Sequence, residues 1–500
     1  MGVKVVSQKK HALKLSREYT QATFAWLLSL VVTIILFVNS FNFKEGSLKT
    51  MIFSVFVVYA LFTIFQVFIT WKVKSDLLKY GEIQNKTRKL GYIQLLSIVT
   101  ANIFIASFAF NLIKKKKTPE YTFAVFMVFT QLFVIAISAL NLFKPYVIDS
   151  FLLAMGILLA ILIFQVVTLI LVAKHVQDKE APSWMMVIAI ILLITSVTGN
   201  LFGLLLGISL IVKVRSHDQS RIMKWNTMWD KITRNSTAIL GMFFIILMFS
   251  LSVSSKFTFD YDMAVENNYG ALLQSPSLEY PFGTDNFGRD LFSRIIFGAR
   301  ISLLVGFAST IIPVVIGGVL GALAGYYGQR TDNVIMRFLD ILYAIPGILL
   351  AIAIIAAFGA NTMNLILALS VGAIPTYART MRANVLMVSN YEFVDSAKAL
   401  GASDFSIIFK QIVPNSLAPM IVKATLTIGG AVIATSSLSF LGLGVEPHIP
   451  EWGNILKIGS TYLETHSYLA VIPGLAIIGL VLSFNFLGDG LRDAFDPKMD

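Results

Sequence analysis

The sequence contains no cysteine, which excludes disulfide bonds, thiolate nucleophiles and cysteine-based metal sites. It also contains no Gly-Lys pair, and so lacks the Gly-x-x-x-x-Gly-Lys phosphate loop with which a chain would hydrolyse ATP itself. No two of its histidines are spaced i,i+3 or i,i+4, so a metal or catalytic centre is not supported. These histidines are His11, His175, His217, His448 and His466.

Charge is scarce in this chain and apolar residues dominate it. Of the 500 residues, 14% are charged and 56% are hydrophobic, and apolar runs repeatedly approach the roughly 20 residues that a spanning helix needs. Alternating strand patterns are missing, so the sequence predicts an all-α, polytopic transmembrane helical bundle. The net charge of +12 comes from Lys and Arg clustered between apolar runs, as in cytoplasmic loops, so no nucleic-acid partner is expected.

Hydropathy predicts about twelve spans, six in each of two regions. They lie near 22–42, 51–71, 91–113, 122–143, 151–173, 184–212, 237–255, 303–327, 338–359, 364–380, 418–440 and 467–487. We divide the chain into an N-terminal region of extra spans, residues 1–236, and a C-terminal region, residues 237–500. The basic segments 1–21, 72–90 and 213–236 are expected in the cytoplasm, but Lys114–Lys117 then falls outside and breaks the positive-inside rule.

Glycine separates the two regions, since only 8 of the 33 glycines precede residue 237. The N-terminal region carries many Phe, Leu and Ile residues instead, which favours lipid contact over close helix packing. In the C-terminal region, Gly317, Gly321 and Gly325 recur every four residues and form a stripe that lets another helix approach closely. Packing within the chain is favoured over a dimerisation face, because this spacing is a loose signal.

One long polar segment interrupts the cytoplasmic side of the C-terminal region. Glu392–Leu400 is rich in helix formers, and Gly401 is a natural stop where a left-handed residue is needed. Ser403 or Asp404 is expected to cap a second short helix, which Pro414 is expected to end. From physical chemistry alone, this elbow is equally a docking surface for a partner protein and a loop that lies on the lipid headgroups.

The order Asp395-Ser396-Ala397, Gly401, Pro414 resembles the EAA loop of permeases in ATP-binding-cassette (ABC) importers, with Asp and Ser replacing the usual Glu and first Ala. Further motifs are similar to those of the C-type permeases of the oligopeptide and dipeptide importer family. They are Pro281-Phe282-Gly283-Thr284-Asp285, Gly288-Arg289-Asp290, Ser293-Arg294, Gly298-Ala299-Arg300, Ser439-Phe440-Leu441-Gly442-Leu443-Gly444, Trp452-Gly453 and Gly488-Asp489-Gly490-Leu491-Arg492-Asp493. The resemblance covers about half of the chain, from near 237 to the end.

This resemblance implies a non-catalytic permease subunit of an ATP-driven importer that moves oligopeptides or dipeptides across the bacterial inner membrane. It leaves nickel and haem open as cargo. In the family the EAA loop docks the ATPase, so we call residues 381–417 the coupling loop. The candidate coupling residues are Glu392, Asp395, Ser396, Ala397, Gly401, Ala402, Ser403, Asp404 and Pro414.

The same resemblance implies a set of partners. These are a second permease subunit in a heterodimer, two ATPase subunits, an extracytoplasmic substrate-binding protein, the peptide substrate and membrane lipid. ATP and Mg would be bound by the ATPases, so no cofactor is expected in this chain.

The segment 281–300 follows the first helix of the C-terminal region on the outer side. We expect it to lie on the membrane surface, where its charged side chains stay hydrated. An elbow that fixes the next helix is the favoured role, and contact with a binding protein or a gate is the alternative. The candidate residues are Gly283, Thr284, Asp285, Gly288, Arg289, Asp290, Arg294 and Arg300.

The main alternative function is a secondary transporter or channel, which would show internal repeats and paired charges at mid-membrane. The two regions show no self-similarity, and the spans of the C-terminal region carry few ionisable residues. This pattern favours a substrate recognised mainly by a separate binding protein. For residues 1–236 alone, a membrane scaffold stays open, with lipid-facing packing as the expectation.

Overall fold

The computed structural model describes residues 16–42, 47–115, 117–177, 180–215 and 219–496. Lys116, His11 and His217, which entered the sequence analysis, lie outside these ranges. Within them, β-structure is limited to an antiparallel pair of two-residue strands, β1 (Phe41–Asn42) with β2 (Ser47–Leu48), and one isolated bridge. The prediction of an all-α, polytopic bundle is confirmed.

The helices of the N-terminal region are numbered in chain order. They are α1 (Arg17–Asn39), α2 (Thr50–Tyr80), α3 (Asn85–Gln94), α4 (Ile103–Ile113), α5 (Pro119–Ala139), α6 (Phe151–His175), α7 (Met185–Thr195), α8 (Leu201–Arg215) and α9 (Gln219–Arg234). Short 3₁₀ turns continue three of them, and these turns are Leu95–Thr100, Leu140–Phe143 and Ser196–Thr198.

The numbering continues through the C-terminal region. Its helices are α10 (Ser236–Thr258), α11 (Asp262–Val265), α12 (Leu291–Tyr327), α13 (Gln329–Ala344), α14 (Gly347–Phe358), α15 (Thr362–Val388), α16 (Glu392–Ala399), α17 (Asp404–Ser406), α18 (Val413–Leu441), α19 (Trp452–Thr461) and α20 (Tyr468–Phe495). A 3₁₀ turn, Tyr269–Ala271, follows α11, and a π-helical turn, Ile407–Ile412, joins α17 to α18.

Among the described residues, 8 helices are long and apolar enough to cross a membrane, or 9 if α13 and α14 count as one broken span. Eight of the twelve predicted spans correspond to these helices. The other four predicted spans are 91–113, 184–212, 338–359 and 364–380. The span 338–359 falls on α13 and α14, which meet at 83°, and 364–380 falls within the 27 residues of α15.

The first two of these four, 91–113 and 184–212, are wrong as crossings, because each folds into a hairpin of two shorter helices. Arg88 in α3 donates a hydrogen bond to the carbonyl oxygen of Leu112 at the end of α4, at 3.1 Å. Lys213 near the end of α8 donates to the carbonyl oxygen of Gln177, which precedes α7, at 2.9 Å. Each hairpin therefore returns to the side from which it starts. Hydropathy reports apolar length but not a reversal of direction.

This reversal also removes the topological conflict at Lys114–Lys117. Lys115 forms an ion pair with Glu82 at 2.9 Å, so the basic run lies beside segment 72–90, which is itself basic and expected in the cytoplasm. The expectation that this run falls outside is therefore wrong, and the positive-inside rule holds without exception there. Lys116 lies outside the described residues.

Contacts divide the chain into two compact units. Unit 1 comprises Met1–Phe133, Leu162–Leu193 and Phe202–Asn226, and unit 2 comprises Val134–Ile161, Ile194–Leu201 and Thr227–Asp500. Unit 1 contains a fully buried ion pair, Lys213 with Glu120 at 2.9 Å, and Ser209 donates to the second oxygen of that carboxylate at 2.6 Å. The division at residue 237 stays a prediction, since residues 134–161, 194–201 and 227–236 group with the later helices.

The glycine stripe of α12 packs against α15 in the same chain. A Cβ built on Gly317 would lie 2.7 Å from the carbonyl oxygen of Ile374, and one on Gly325 would lie 2.9 Å from that of Arg382. A Cβ on Gly321 would collide with the backbone of Ala378. These contacts are the intrachain packing that the sequence favours.

Replacing Gly321 with Ala is expected to destabilise the fold relative to the neighbouring substitution Gly318→Ala. A Cβ at Gly318 meets only the ends of two Met side chains, at 3.8 and 3.9 Å, so it fits. Both substitutions gain the same helix propensity, so the difference between their stabilities reports the clash alone. We expect this overpacking to cost about 1–3 kcal/mol. Thermal unfolding of the purified protein in mild detergent measures it. Equal melting temperatures for the two variants would show that α12 and α15 separate at little cost.

Candidate functional site

The coupling loop begins with a helix whose ends are fixed by local signals. Glu392 and Asp395 lie in the first turn of α16, where the helix dipole stabilises acidic side chains. Gly401 adopts φ +75° after α16, and its N–H donates to the carbonyl oxygen of Lys398 at 2.9 Å. Ser403 then caps α17, since its hydroxyl accepts a hydrogen bond from the next turn. The predicted two helices, the left-handed Gly401 and the Ser403 cap are confirmed.

The prediction that Pro414 ends the second helix is wrong. The helical path runs without interruption from Asp404 to Leu441, and Pro414 lies in the first turn of α18. Proline is tolerated in a first turn because no intrahelical N–H bond is required there. The π-helical turn just before it shifts the backbone hydrogen bonds by one residue, so the helix continues past a residue that has no backbone N–H.

One face of the coupling loop is anchored in an apolar cluster, which we call the loop core. Val394 of α16 and Ile407 of the π-helical turn are fully buried in it, together with Val385 of α15 and Met420 of α18. Ile408 is also buried, at 1% exposure, so its side chain is not available to contact lipid headgroups. The loop is therefore rigidly joined to the helices that carry it.

The opposite face of the coupling loop is exposed. Leu400 is 88% and Phe405 is 68% accessible to solvent, which is unusual for apolar side chains in a polar loop. Asp395 lies 3.6 Å from Lys398, but both side chains are exposed, and a pair of this kind contributes little stability. A Cβ added at Gly401 would meet no atom within 4 Å. This face is open to a partner surface.

The remaining candidates of this set are divided between the two faces, since Ser396 and Asp404 are exposed and two alanines are partly buried. Ala397 and Ala402 pack at the edge of the loop core. The hydroxyl of Ser396 donates to the carbonyl oxygen of Glu392 at 2.9 Å, and the carboxylate of Asp404 accepts a hydrogen bond from the hydroxyl of Tyr326 at 2.8 Å. The structure therefore brings all nine candidate residues of the coupling loop into one region.

The outer segment 281–300 contradicts the expectation of hydrated charges. Its four central ionisable side chains are 5% exposed or less, whereas Arg300 is exposed. The four are Asp285, Arg289, Asp290 and Arg294, and we call them the outer network. They are buried because loop 259–290 folds over them, and because distant polar groups reach two of them, such as the carbonyl oxygen of Ala264 at Arg294.

Hydrogen bonds tie the outer network to the start of α12. The Asp285 carboxylate accepts from the Arg289 Nε at 2.8 Å, and the Arg294 guanidinium donates to the carbonyl oxygen of Ala264 at 2.8 Å. Asp290 caps α12, because its carboxylate accepts from the backbone N–H groups of Phe292 and Ser293, at 3.2 and 3.0 Å. The segment has the geometry of the favoured elbow, since it fixes where the helix begins.

Glycine and threonine shape the turn that carries this network. Gly283 and Gly288 have φ angles of +78° and +76°, and a Cβ on Gly288 would collide with the backbone of Asn268. Thr284 is fully buried, and its hydroxyl donates to the carbonyl oxygen of Ala271 and accepts from the N–H of Gln274.

A lysine from before residue 237 completes the outer network, and sequence reasoning missed it. The Lys144 Nζ donates to the Asp290 carboxylate at 2.6 Å and to the Ser293 hydroxyl at 2.8 Å, and it is buried. It also lies 5.7 Å from the ring centres of Phe259 and Phe292. Nothing in its local sequence distinguishes Lys144 from a loop lysine.

The motif around Trp452 lies against the same stretch of α12. The Trp452 indole N–H donates to the carbonyl oxygen of Ile295 at 3.0 Å, and its ring covers Gly298. Glu451 caps α19 through the N–H groups of Gly453 and Asn454. Burial raises the pKa of the Glu451 carboxyl, against the lowering effect of these N–H groups.

Comparison with known proteins agrees with these motifs. Residues 317–500 match the model of a family described as "Binding-protein-dependent transport system inner membrane component". The chain is 40% identical over 282 residues to the glutathione transport system permease protein GsiD of Pectobacterium atrosepticum, covering 56% of this chain and 94% of that protein. It is 41% identical over 278 residues to the dipeptide transport system permease protein DppC of Alkalihalophilus pseudofirmus, covering 56% and 91%.

Among solved structures, an inward-facing form of the MetNI methionine ABC transporter matches at 21% identity and a TM-score of 0.34. The match covers 41% of this chain and 97% of that one.

Proposed function

This chain belongs to the family of binding-protein-dependent transport system inner membrane components, and on that premise we propose that it provides the translocation path for short peptides in an ATP-driven importer. It is a multi-pass inner membrane protein and an importer permease, so the resemblance read from its motifs is confirmed. The relatives named above are permeases for glutathione and for dipeptides, and both cargoes are short peptides.

The observation that carries the mechanism is the two-faced coupling loop. Its buried face locks α16 to α15 and α18, and its exposed face offers Leu400, Phe405 and the open position at Gly401. A partner that binds the exposed face moves the membrane helices with it, because the close-packed loop core holds the loop and these helices in a fixed arrangement. The partner is an ATPase subunit, which binds ATP and Mg and closes on a second copy.

The remaining partners follow from the same arrangement. A pair of ATPases needs two docking loops, and the one coupling loop in this chain implies a second permease beside it. Binding-protein-dependent import requires an extracytoplasmic protein that delivers the peptide. The outer network fixes the elbow on the side where that protein docks, and surrounding lipid contacts the exposed apolar side chains of the spans.

ATP-dependent uptake tests this function. The tagged chain is purified with its partners in mild detergent, reconstituted into liposomes, and supplied with binding protein and radiolabelled alanyl-alanine or glutathione. We expect an ATPase and a second permease to copurify, and uptake to require ATP on the cytoplasmic side. A chain that purifies without an ATPase and moves peptide down its gradient without ATP would establish a secondary transporter or channel instead.

A further inference from the structure

A lysine in the first half of α18, the eleventh of its 29 residues, is the feature that the coupling mechanism leaves unused. The Lys423 Nζ donates to the carbonyl oxygen of Thr376 at 2.9 Å and to the hydroxyl of Thr380 at 2.5 Å, both on α15. It lies 5.5 Å from the ring centre of Tyr377. Among the residues that the structure describes, no carboxylate lies within 4.0 Å of it. Ionisable side chains inside membrane helices are rare and mostly functional.

The neighbouring basic residues of α15 differ from Lys423 in this respect. Arg379 forms an ion pair with Asp340 at 2.6 Å, and Arg382 forms a bidentate ion pair with Asp332. An ammonium group has three N–H donors, and at Lys423 two of them are used by neutral oxygens. The third donor, and a positive charge with no carboxylate partner among the described residues, are left for an anion.

A cavity of about 290 Å³ lies among α12, α14, α15 and α18, and two residues that contact the Lys423 ammonium group, Thr376 and Tyr377, are among those that line it. Thr376 lines it, and its carbonyl oxygen accepts the hydrogen bond from Lys423. Thr427, one helical turn beyond Lys423, lines it as well, with Tyr377, Ser309 and Thr310. The volume is at the lower end of those of small-molecule sites, so the cavity fits a small ligand or one end of a longer one.

We propose that Lys423 binds a carboxylate of the transported peptide when the end of that peptide occupies this cavity. This inference rests on the proposed function, because every linear peptide with a free C terminus carries that carboxylate. The cavity is otherwise lined largely by small residues such as Gly372, Ala373 and Ala431, which leave room without selecting side chains. The site therefore recognises the peptide class, while sequence preference rests with the binding protein.

The test compares two cargoes in the complete reconstituted transporter, alanyl-alanine and its C-terminal amide. The variant Lys423→Met removes the charge at similar length, Lys423→Arg keeps it, and Lys256→Met is a matched control at an exposed lysine of α10. We expect Lys423→Met to lower kcat/KM for the free acid about tenfold, because a charge-assisted hydrogen bond is lost. We expect no further loss for the amide, and near-normal uptake by the other two variants.

For each variant, kcat/KM for the free acid is divided by kcat/KM for the amide, and the result is divided by the same ratio for the wild type. Any preference of the binding protein for one cargo then cancels. An equal fall for acid and amide would overturn the inference and make Lys423 a structural residue. Loss of the second permease from purified Lys423→Met would also overturn it, by placing the missing carboxylate in that subunit. If the wild type takes up both cargoes and Lys423→Met takes them up equally well, this inference is refuted and the proposed function stands. Failure of wild type to couple either cargo to ATP refutes the proposed function and, with it, this site.

Discussion

Replacing Lys144 with Met is expected to lower the free energy of unfolding by about 3–5 kcal/mol, the usual cost of removing one partner of a buried ion pair. Lys144 and Asp290 are 2% and 1% exposed, so the substitution leaves a carboxylate buried without a counter-charge. The methionine side chain fills a similar space, which keeps the loss of packing small. Chemical unfolding in mild detergent, followed by tryptophan fluorescence, measures the change.

Two controls separate the stranded charge from other effects. The double variant Lys144→Met with Asp290→Asn removes both charges, and an Asn still caps α12, so we expect it to recover most of the loss. Lys256→Met changes the net charge equally at an exposed site and is expected to shift stability by no more than about 0.5 kcal/mol. A double variant as unstable as the single one would mean that the hydrogen bond to Ser293, not the charge, carries the effect.

This ion pair bears on the role of residues 1–236. Lys144 lies in the stretch 134–161, which groups with unit 2, and Asn141 from the same stretch donates to the carbonyl oxygen of Thr258 at 2.8 Å. This part of the N-terminal region is therefore structural support for the start of α12. The same stretch exposes Leu152 at 75% and Leu153 at 71%, so lipid-facing packing of its other face stays a prediction.

Local signals explain what the sequence could predict. Helix α16, the left-handed Gly401 and the Ser403 cap depend on residues within one or two turns of each other, so their pattern is visible in the chain. The apolar length of α12 and α20 likewise belongs to single segments. Such features do not need a partner from far along the chain.

Non-local contacts explain what the sequence could not predict. The partner of Lys144 is 146 residues away, and the burial of the outer network depends on a loop that folds over it. The two hairpins of the N-terminal region look like spans because their apolar lengths add up, and contacts such as that of Arg88 with Leu112 reveal the first reversal. The prediction for Pro414 is wrong because a π-helical turn, a rare element, accommodates the proline.

The substitution Gly401→Arg is expected to abolish ATP-dependent uptake while the chain still folds. A Cβ at this position meets no atom within 4 Å, so the cost to the isolated chain is the left-handed backbone, about 1–2 kcal/mol. The large side chain instead fills the space on the exposed face of the coupling loop that the ATPase needs. If the coupling loop is the docking surface, the effect is nearly complete, because an undocked ATPase no longer moves α15 and α18 through the loop core.

Gly401→Asn is the matched control, since Asn tolerates the left-handed conformation and is much shorter than Arg. We expect it to keep the ATPase on affinity purification from mild detergent, whereas Gly401→Arg, alone or with Asp395→Arg, loses the ATPase but retains the second permease. Retention of the second permease shows that the membrane helices are intact, so the loss is specific to docking. If Gly401→Arg purified with its ATPase and took up peptide at the wild-type rate, the coupling loop would not be the docking surface, because no rigid contact tolerates a side chain of that size at its centre.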